Sequence, residues 1–143
     1  LTPGKLFVVF GSTGGGRDKA KRPKMGAIAD EFADIIILTN DDPYNEDEWQ
    51  IIEGLAEGIK REEGTGLWKI PHRYEAIRLA LTMAKEGDTV VIAGKGCEEI
   101  QIIGGQKIPW DDRKVVRELL SREVVVEIEP GKEEAKENVC LEG

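Results

Sequence analysis

Three short, unbroken apolar runs set the terms of this chain's fold: residues 5–10, Ile35–Leu38 and residues 89–93. Each is too short for a stable helix and has no apolar–polar alternation, so each reads as a strand buried on both faces. Between them, apolar residues recur at helical spacing. Met25, Ile28, Ala29 and Phe32 follow Pro23, a residue favoured near a helix start. Trp49, Ile52, Leu55 and Ile59 define a second helix stopped by Gly64 and Gly66, and Ala76, Ile77, Ala80, Leu81 and Ala84 a third closed by Gly87. Strand–helix alternation predicts an α/β, Rossmann-like fold: a mostly parallel sheet with helices on both faces. Ile100–Ile103 and residues 107–110, separated by Gly104, Gly105 and Gln106, add a β-hairpin. Asp111 is the expected N-cap of a last helix running to Leu120, and residues 123–128 form a further expected strand.

A chain of 143 residues is long enough for one domain with a real core. After Pro130 and Gly131 the sequence turns acidic and weakly apolar, so the expected organisation is a domain over residues 1–129 and an acidic, flexible tail over 130–143. A formal charge of −8 argues against non-specific binding to nucleic acid or to a membrane surface. No run approaches transmembrane length and no signal-peptide pattern opens the chain. Cys97 and Cys140 make no disulfide framework and read as reduced thiols of a cytoplasmic protein.

In open parallel sheets, ligands bind beyond the carboxyl ends of the strands. Three segments fall there: Gly11 to Arg17, Asn40 to Tyr44 and Gly94 to Glu98. Their expected convergence on one rim is the bottom-up case for a site. The first segment joins glycines, which allow close backbone approach, to Arg17, Lys19, Lys21 and Arg22. Cations oppose the dipole at a helix N-terminus, so a basic knot there points to an anion it holds. Arg17 offers a planar fork for a carboxylate or phosphate. Asp41 and Asp42, before Pro43, suit an ammonium group, although turn chemistry alone also accounts for them. Gly94-Lys95-Gly96 is not a phosphate-binding Walker loop, because Cys97 stands where Ser or Thr is needed. His72 has no second His to share a metal, and neither Cys has a catalytic His partner, so the chain offers no metal site and no thiol nucleophile.

Three motifs together resemble the Mur ligases. The segment from Gly14 to Gly26 is similar to their GGDRDxGKRPxMG sequence, Asn40-Asp41-Asp42-Pro43 to their (D/N)-D-N-P loop, and Ala93 to Glu98 to their AGKGHE turn. Gln101, Gly104, Asp111, Asp112 and Arg113 continue the likeness. Within the family, the branch that adds the third amino acid to UDP-N-acetylmuramoyl-L-alanyl-D-glutamate is the nearest in pattern. The resemblance implies the C-terminal, amino-acid-receiving domain of a three-domain cytoplasmic enzyme of cell-wall synthesis, without that domain's usual first strand and helix. ATP and Mg would be bound mainly by the absent N-terminal and central domains. ATP would phosphorylate the D-glutamate carboxylate, and the incoming amine would attack the acyl phosphate. By the same resemblance, Arg17 holds a carboxylate of the amino acid, Asp41, Asp42, Pro43 and Tyr44 read it, and Gly94 and Glu98 complete its contacts; no residue of this chain is catalytic.

Tyr44 replaces the Arg that diaminopimelate-adding relatives carry, and Asp42 replaces Asn, which leaves the third amino acid open between lysine, diaminopimelate and others. Gly16 and Cys97 also depart from the family pattern, for which the residue types supply no reason. Two alternatives stand beside this reading: a stand-alone small-molecule-binding module, and a related amide ligase of the cyanophycin or folylpolyglutamate synthetase type.

Overall fold

The computed structural model describes residues 4–15, 19–95, 100–104 and 106–123. The elements run β1 (Leu6–Phe10), α1 (Lys21–Phe32), β2 (Ile35–Leu38), α2 (Glu48–Ala56), β3 (Leu67–Lys69), α3 (Arg73–Met83), β4 (Thr89–Ile92), β5 (Ile100–Ile103), β6 (Gln106–Pro109) and α4 (Asp112–Glu123). Four strands pair in parallel in the order β3-β2-β1-β4, and β5 and β6 form a separate antiparallel pair.

The apolar runs are continuous because both faces of the sheet are covered. Phe7, Val9, Ile35 and Ile37 turn to one side, where they pack with Ala76, Ile77 and Ala80 of α3 and Val116 and Leu119 of α4. Phe10, Ile36 and Leu38 turn to the other, against Ile51, Ile52 and Leu55 of α2 and Met25 and Ala29 of α1. The register sets Phe7 beside Ile35 and Val9 beside Ile37, so each layer is built across neighbouring strands. Each fully buried Phe, Val, Ile or Leu among them contributes about 1.5–3 kcal/mol by leaving water.

Both helices over the second layer differ from the periodicity reading. On α2 the buried stripe is Ile51, Ile52 and Leu55, while Trp49 is exposed. On α1, Ile28 and Phe32 are 60% and 68% exposed. They wall a groove of about 720 Å³ with Val8, Phe10, Met25 and Ala33. Gly26 brings α1 onto α2: a Cβ there would stand 1.9 Å from the Leu55 carbonyl oxygen.

β3 has no counterpart in the sequence reading. It is three residues long, pairs only with β2 and directly follows Gly66, so it carries no periodic signal. Asp111 does cap α4, its carboxylate accepting the Arg113 N–H at 2.9 Å, and the helix continues past Leu120 to Glu123. Glu123 is therefore helical, and the rest of the expected strand 123–128 lies outside the described residues, as does the tail 130–143. The hairpin's second strand begins at Gln106, one residue earlier than expected. Among the described residues no helix is long and apolar enough to cross a membrane.

Candidate functional site: the rim beyond β1, β2 and β4

The chain runs outward from β1 through β2 to β3, then returns to place β4 on the other side of β1. This reversal opens a crevice above β1 and β4, the position at which such sheets bind ligands. The segments after β1, β2 and β4 meet there. The Gly14 N–H donates to the Asp42 carbonyl at 2.8 Å, joining the first to the second. Lys95 Nζ lies 2.7 Å from Asp42 Oδ1 and 3.8 Å from Asp41 Oδ1, joining the third to the second.

The hairpin closes the other side. The Ile102 N–H donates to Asp42 Oδ1 at 2.9 Å, and Gln101 Nε2 donates to the Asp41 carbonyl at 2.8 Å. Tyr44 donates its N–H to the Ile102 carbonyl at 3.1 Å and accepts the Gly104 N–H at 2.6 Å. Its φ of 56° is the one left-handed backbone angle at a non-glycine among the described residues. A bulky residue there is strained unless its surroundings hold it, and those two hydrogen bonds do. The Tyr44 ring faces Gly15, 3.4 Å from where a Cβ would stand. Gly94 also has positive φ (107°), and a Cβ on it would come within 2.8 Å of Asp41 Oδ2.

Under the rim, at the start of α3, lies a buried cation. Arg73 pairs with Asp112 through Nε–Oδ1 at 2.9 Å and Nη2–Oδ2 at 2.8 Å, with both side chains fully buried. It also donates to the carbonyls of Asn40 at 2.8 Å and Ala93 at 3.2 Å. Those carbonyls immediately precede Asp41 and Gly94. One side chain thus ties the ends of β2 and β4 to the start of α4. Trp110 Nε1 donates to the same Asp112 Oδ1 at 2.6 Å.

Of the residues expected at the site, Asp41, Asp42, Pro43, Tyr44 and Gly94 fall on this rim, while Arg17 and Glu98 lie outside the described residues. The basic knot needs a correction. Arg22 is buried and bonds both oxygens of Glu46, at 2.7 and 3.0 Å, with a third bond to the Thr13 carbonyl. The anion it holds belongs to the protein: Glu46 meets Arg22 in the first turn of α1. Lys19 is largely exposed and reaches the same carboxylate at 3.9 Å. Lys95, read from sequence as part of a turn, is buried between two carboxylates. His72 is exposed, its ring set edge-to-face with that of Tyr74 at 6.5 Å between centroids.

Comparison with known proteins identifies the family of this fold. The Mur ligase, glutamate ligase domain family matches residues 1–96. The UDP-N-acetylmuramoyl-L-alanyl-D-glutamate–2,6-diaminopimelate ligase of Caldanaerobacter subterraneus subsp. tengcongensis is 47% identical over 118 residues, covering 82% of this chain and 24% of that protein. The protein of the same description from Aquifex aeolicus is 47% identical over 120 residues, with 84% and 24% covered. A solved structure of a UDP-N-acetylmuramoyl-L-alanyl-D-glutamate–2,6-diaminopimelate ligase superposes with a TM-score of 0.77 at 41% identity, over 83% of this chain and 24% of that one. The chain belongs to the Mur ligase family and has the fold of its glutamate ligase domain. It spans about a quarter of the length of the curated relatives it matches.

Proposed function

We propose that this chain is the amino-acid-binding domain of an ATP-dependent ligase that joins the third amino acid to UDP-N-acetylmuramoyl-L-alanyl-D-glutamate in the cytoplasm. The observation that carries the reading is the convergence of the segments after β1, β2 and β4 on Asp42. In this reading Arg17 grips the carboxylate of the incoming amino acid and Glu98 its ammonium group. Asp41, Asp42, Pro43, Tyr44 and Gly94 form the wall between them. The domain supplies orientation, which raises the effective concentration of the attacking amine.

ATP and Mg are bound mainly by the other domains of the enzyme. Lys95, in its glycine-flanked turn, is buried against Asp41 and Asp42 rather than presented to a phosphate. Phosphoryl transfer rests on positioning and charge neutralisation, which the other domains, including the central one, contribute.

Substitution of the two gripping residues in the full-length ligase tests the reading. Arg17→Lys impairs amino-acid use almost as much as Arg17→Ala, since a point charge cannot reproduce the guanidinium fork. Glu98→Gln raises KM for the amino acid and leaves that for ATP nearly unchanged. A change confined to ATP refutes the assignment.

A further inference from the structure

The β5–β6 hairpin forms its own two-stranded sheet, apart from the four-stranded one. β5 is laid instead along the loop after β2. Gln101 Nε2 donates to the Asp41 carbonyl, the Ile102 N–H donates to Asp42 Oδ1, and the Ile102 carbonyl accepts the Tyr44 N–H. The Gly104 N–H closes the series on the Tyr44 carbonyl, and Tyr44 forms a parallel bridge with Ile103.

Two features make this attachment more than packing. Gln101 is 4% exposed, and an apolar residue would fill its place without desolvating an amide. A buried carbonyl needs a donor, and at Asp41 a side chain supplies it where a neighbouring strand otherwise would. Tyr44, for its part, has a φ of 56°, which a bulky residue keeps only where its surroundings over-determine it. Hydrogen bonds to the hairpin fall on both its N–H and its carbonyl.

We propose that the hairpin is a clamp on residues 41–44, with Gln101 as its positioning residue, and that it sets the affinity for the incoming amino acid by holding Tyr44 in its left-handed conformation. The proposal rests on the amino-acid-binding reading above. Gln101 acts through the loop rather than on the ligand. What the clamp needs from it is a donor to the Asp41 carbonyl.

The test uses the full-length ligase with Gln101→Met, Tyr44→Gly and the double variant. The amino acid is lysine or meso-diaminopimelate, whichever supports the faster turnover. Met keeps the unbranched shape of Gln and removes its donor. Gln101→Met is expected to raise the amino-acid KM about tenfold, while kcat and the KM for ATP move less than about twofold. Tyr44→Gly has a defect of its own from loss of the ring, but glycine adopts positive φ unaided. In that background little strain is left to hold, so Gln101→Met raises the amino-acid KM less than about threefold.

Three results overturn the clamp: an unchanged amino-acid KM in Gln101→Met, a parallel rise in the KM for ATP, or equal factors in the two backgrounds. Should Gln101→Met fail to fold, the unsubstituted ligase decides. Coupling between binding and the clamp is reciprocal, so saturating amino acid is expected to slow hydrogen exchange at the Tyr44, Ile102 and Gly104 amides together. Slowing at Tyr44 alone, or at none of the three, overturns the proposal. Absence of amino-acid-dependent turnover in the unsubstituted ligase removes the functional reading and the clamp with it, whereas the other failures, seen in an active ligase, remove the clamp alone.

Discussion

Arg73 and Asp112, 39 positions apart in the chain, meet in a fully buried two-pronged ion pair beneath the ends of β2 and β4. Removing one partner of such a pair leaves the other charge enclosed and uncompensated, at a cost of about 3–5 kcal/mol. Arg73→Met is therefore expected to lower unfolding free energy by that order in urea titration. Arg73→Met with Asp112→Leu recovers part of it, because two apolar side chains leave no enclosed charge. A loss below about 1 kcal/mol for Arg73→Met would mean that water reaches the pair.

Gly94 and Gly87 separate backbone strain from contact at the rim. Both have positive φ, 107° and 94°, so Ala at either pays a similar conformational penalty of about 1–3 kcal/mol. Only at Gly94 does the new Cβ meet a side chain, Asp41 Oδ2 at 2.8 Å; nothing lies within 4 Å at Gly87. Gly94→Ala is expected to raise the ligase's KM for the amino acid, whereas Gly87→Ala lowers thermal stability without that kinetic effect. Equal kinetic effects from both would place the origin in backbone strain.

Asp88 gives the acid response of the fold a definite sign. Its carboxylate accepts the Lys85 and Lys5 backbone N–H groups, both at 2.8 Å, which holds its pKa below the ordinary 3.8. A depressed folded-state pKa contributes stability that is fully present above 3.8 and is lost as pH falls through the lower folded value. Unfolding titrations from about pH 6 down to about pH 3 are expected to show a shallower loss for Asp88→Asn than for the parent. An identical acid slope would show that the two hydrogen bonds do not persist in solution.

Tyr44 bears on the choice of amino acid. The resemblance implies Arg at this place in diaminopimelate-adding members of the family, and a second ligand carboxylate left unpaired costs about 1–3 kcal/mol. Arg22 cannot substitute, since Glu46 and the Thr13 carbonyl occupy it; Lys19 and Lys21 are the remaining described cations of the knot. The full-length ligase is expected to show no clear preference for meso-diaminopimelate over lysine, and Tyr44→Arg to move selectivity toward diaminopimelate. Strong diaminopimelate selectivity in the parent, surviving both Lys19→Ala and Lys21→Ala, would contradict this.

Sequence legibility followed the range of the interactions. β1, β2 and β4 were readable because burial on two faces requires unbroken apolar runs, and the segments at their ends were readable because turns require particular residues. β3 was not, since three residues on one neighbour show no period. The roles of Arg22, Arg73 and Lys95 were hidden for a different reason. Their carboxylate partners lie 24, 39 and 53 positions away, and only the folded chain shows that each cation is enclosed by its own protein. Asp42 was legible as a site residue, but its double duty toward Lys95 and Ile102 was not.

The most direct test of the central claim is ATP turnover, measured with the UDP-N-acetylmuramoyl-dipeptide acceptor and a panel of amino acids, for the full-length ligase and for residues 1–143 alone. The account predicts turnover that depends on the amino acid in the full-length protein, is sharply reduced by Arg17→Ala, and is absent from the 143-residue chain. Amino-acid-dependent turnover by the chain alone, or turnover in the full-length protein indifferent to the amino acid, would contradict it.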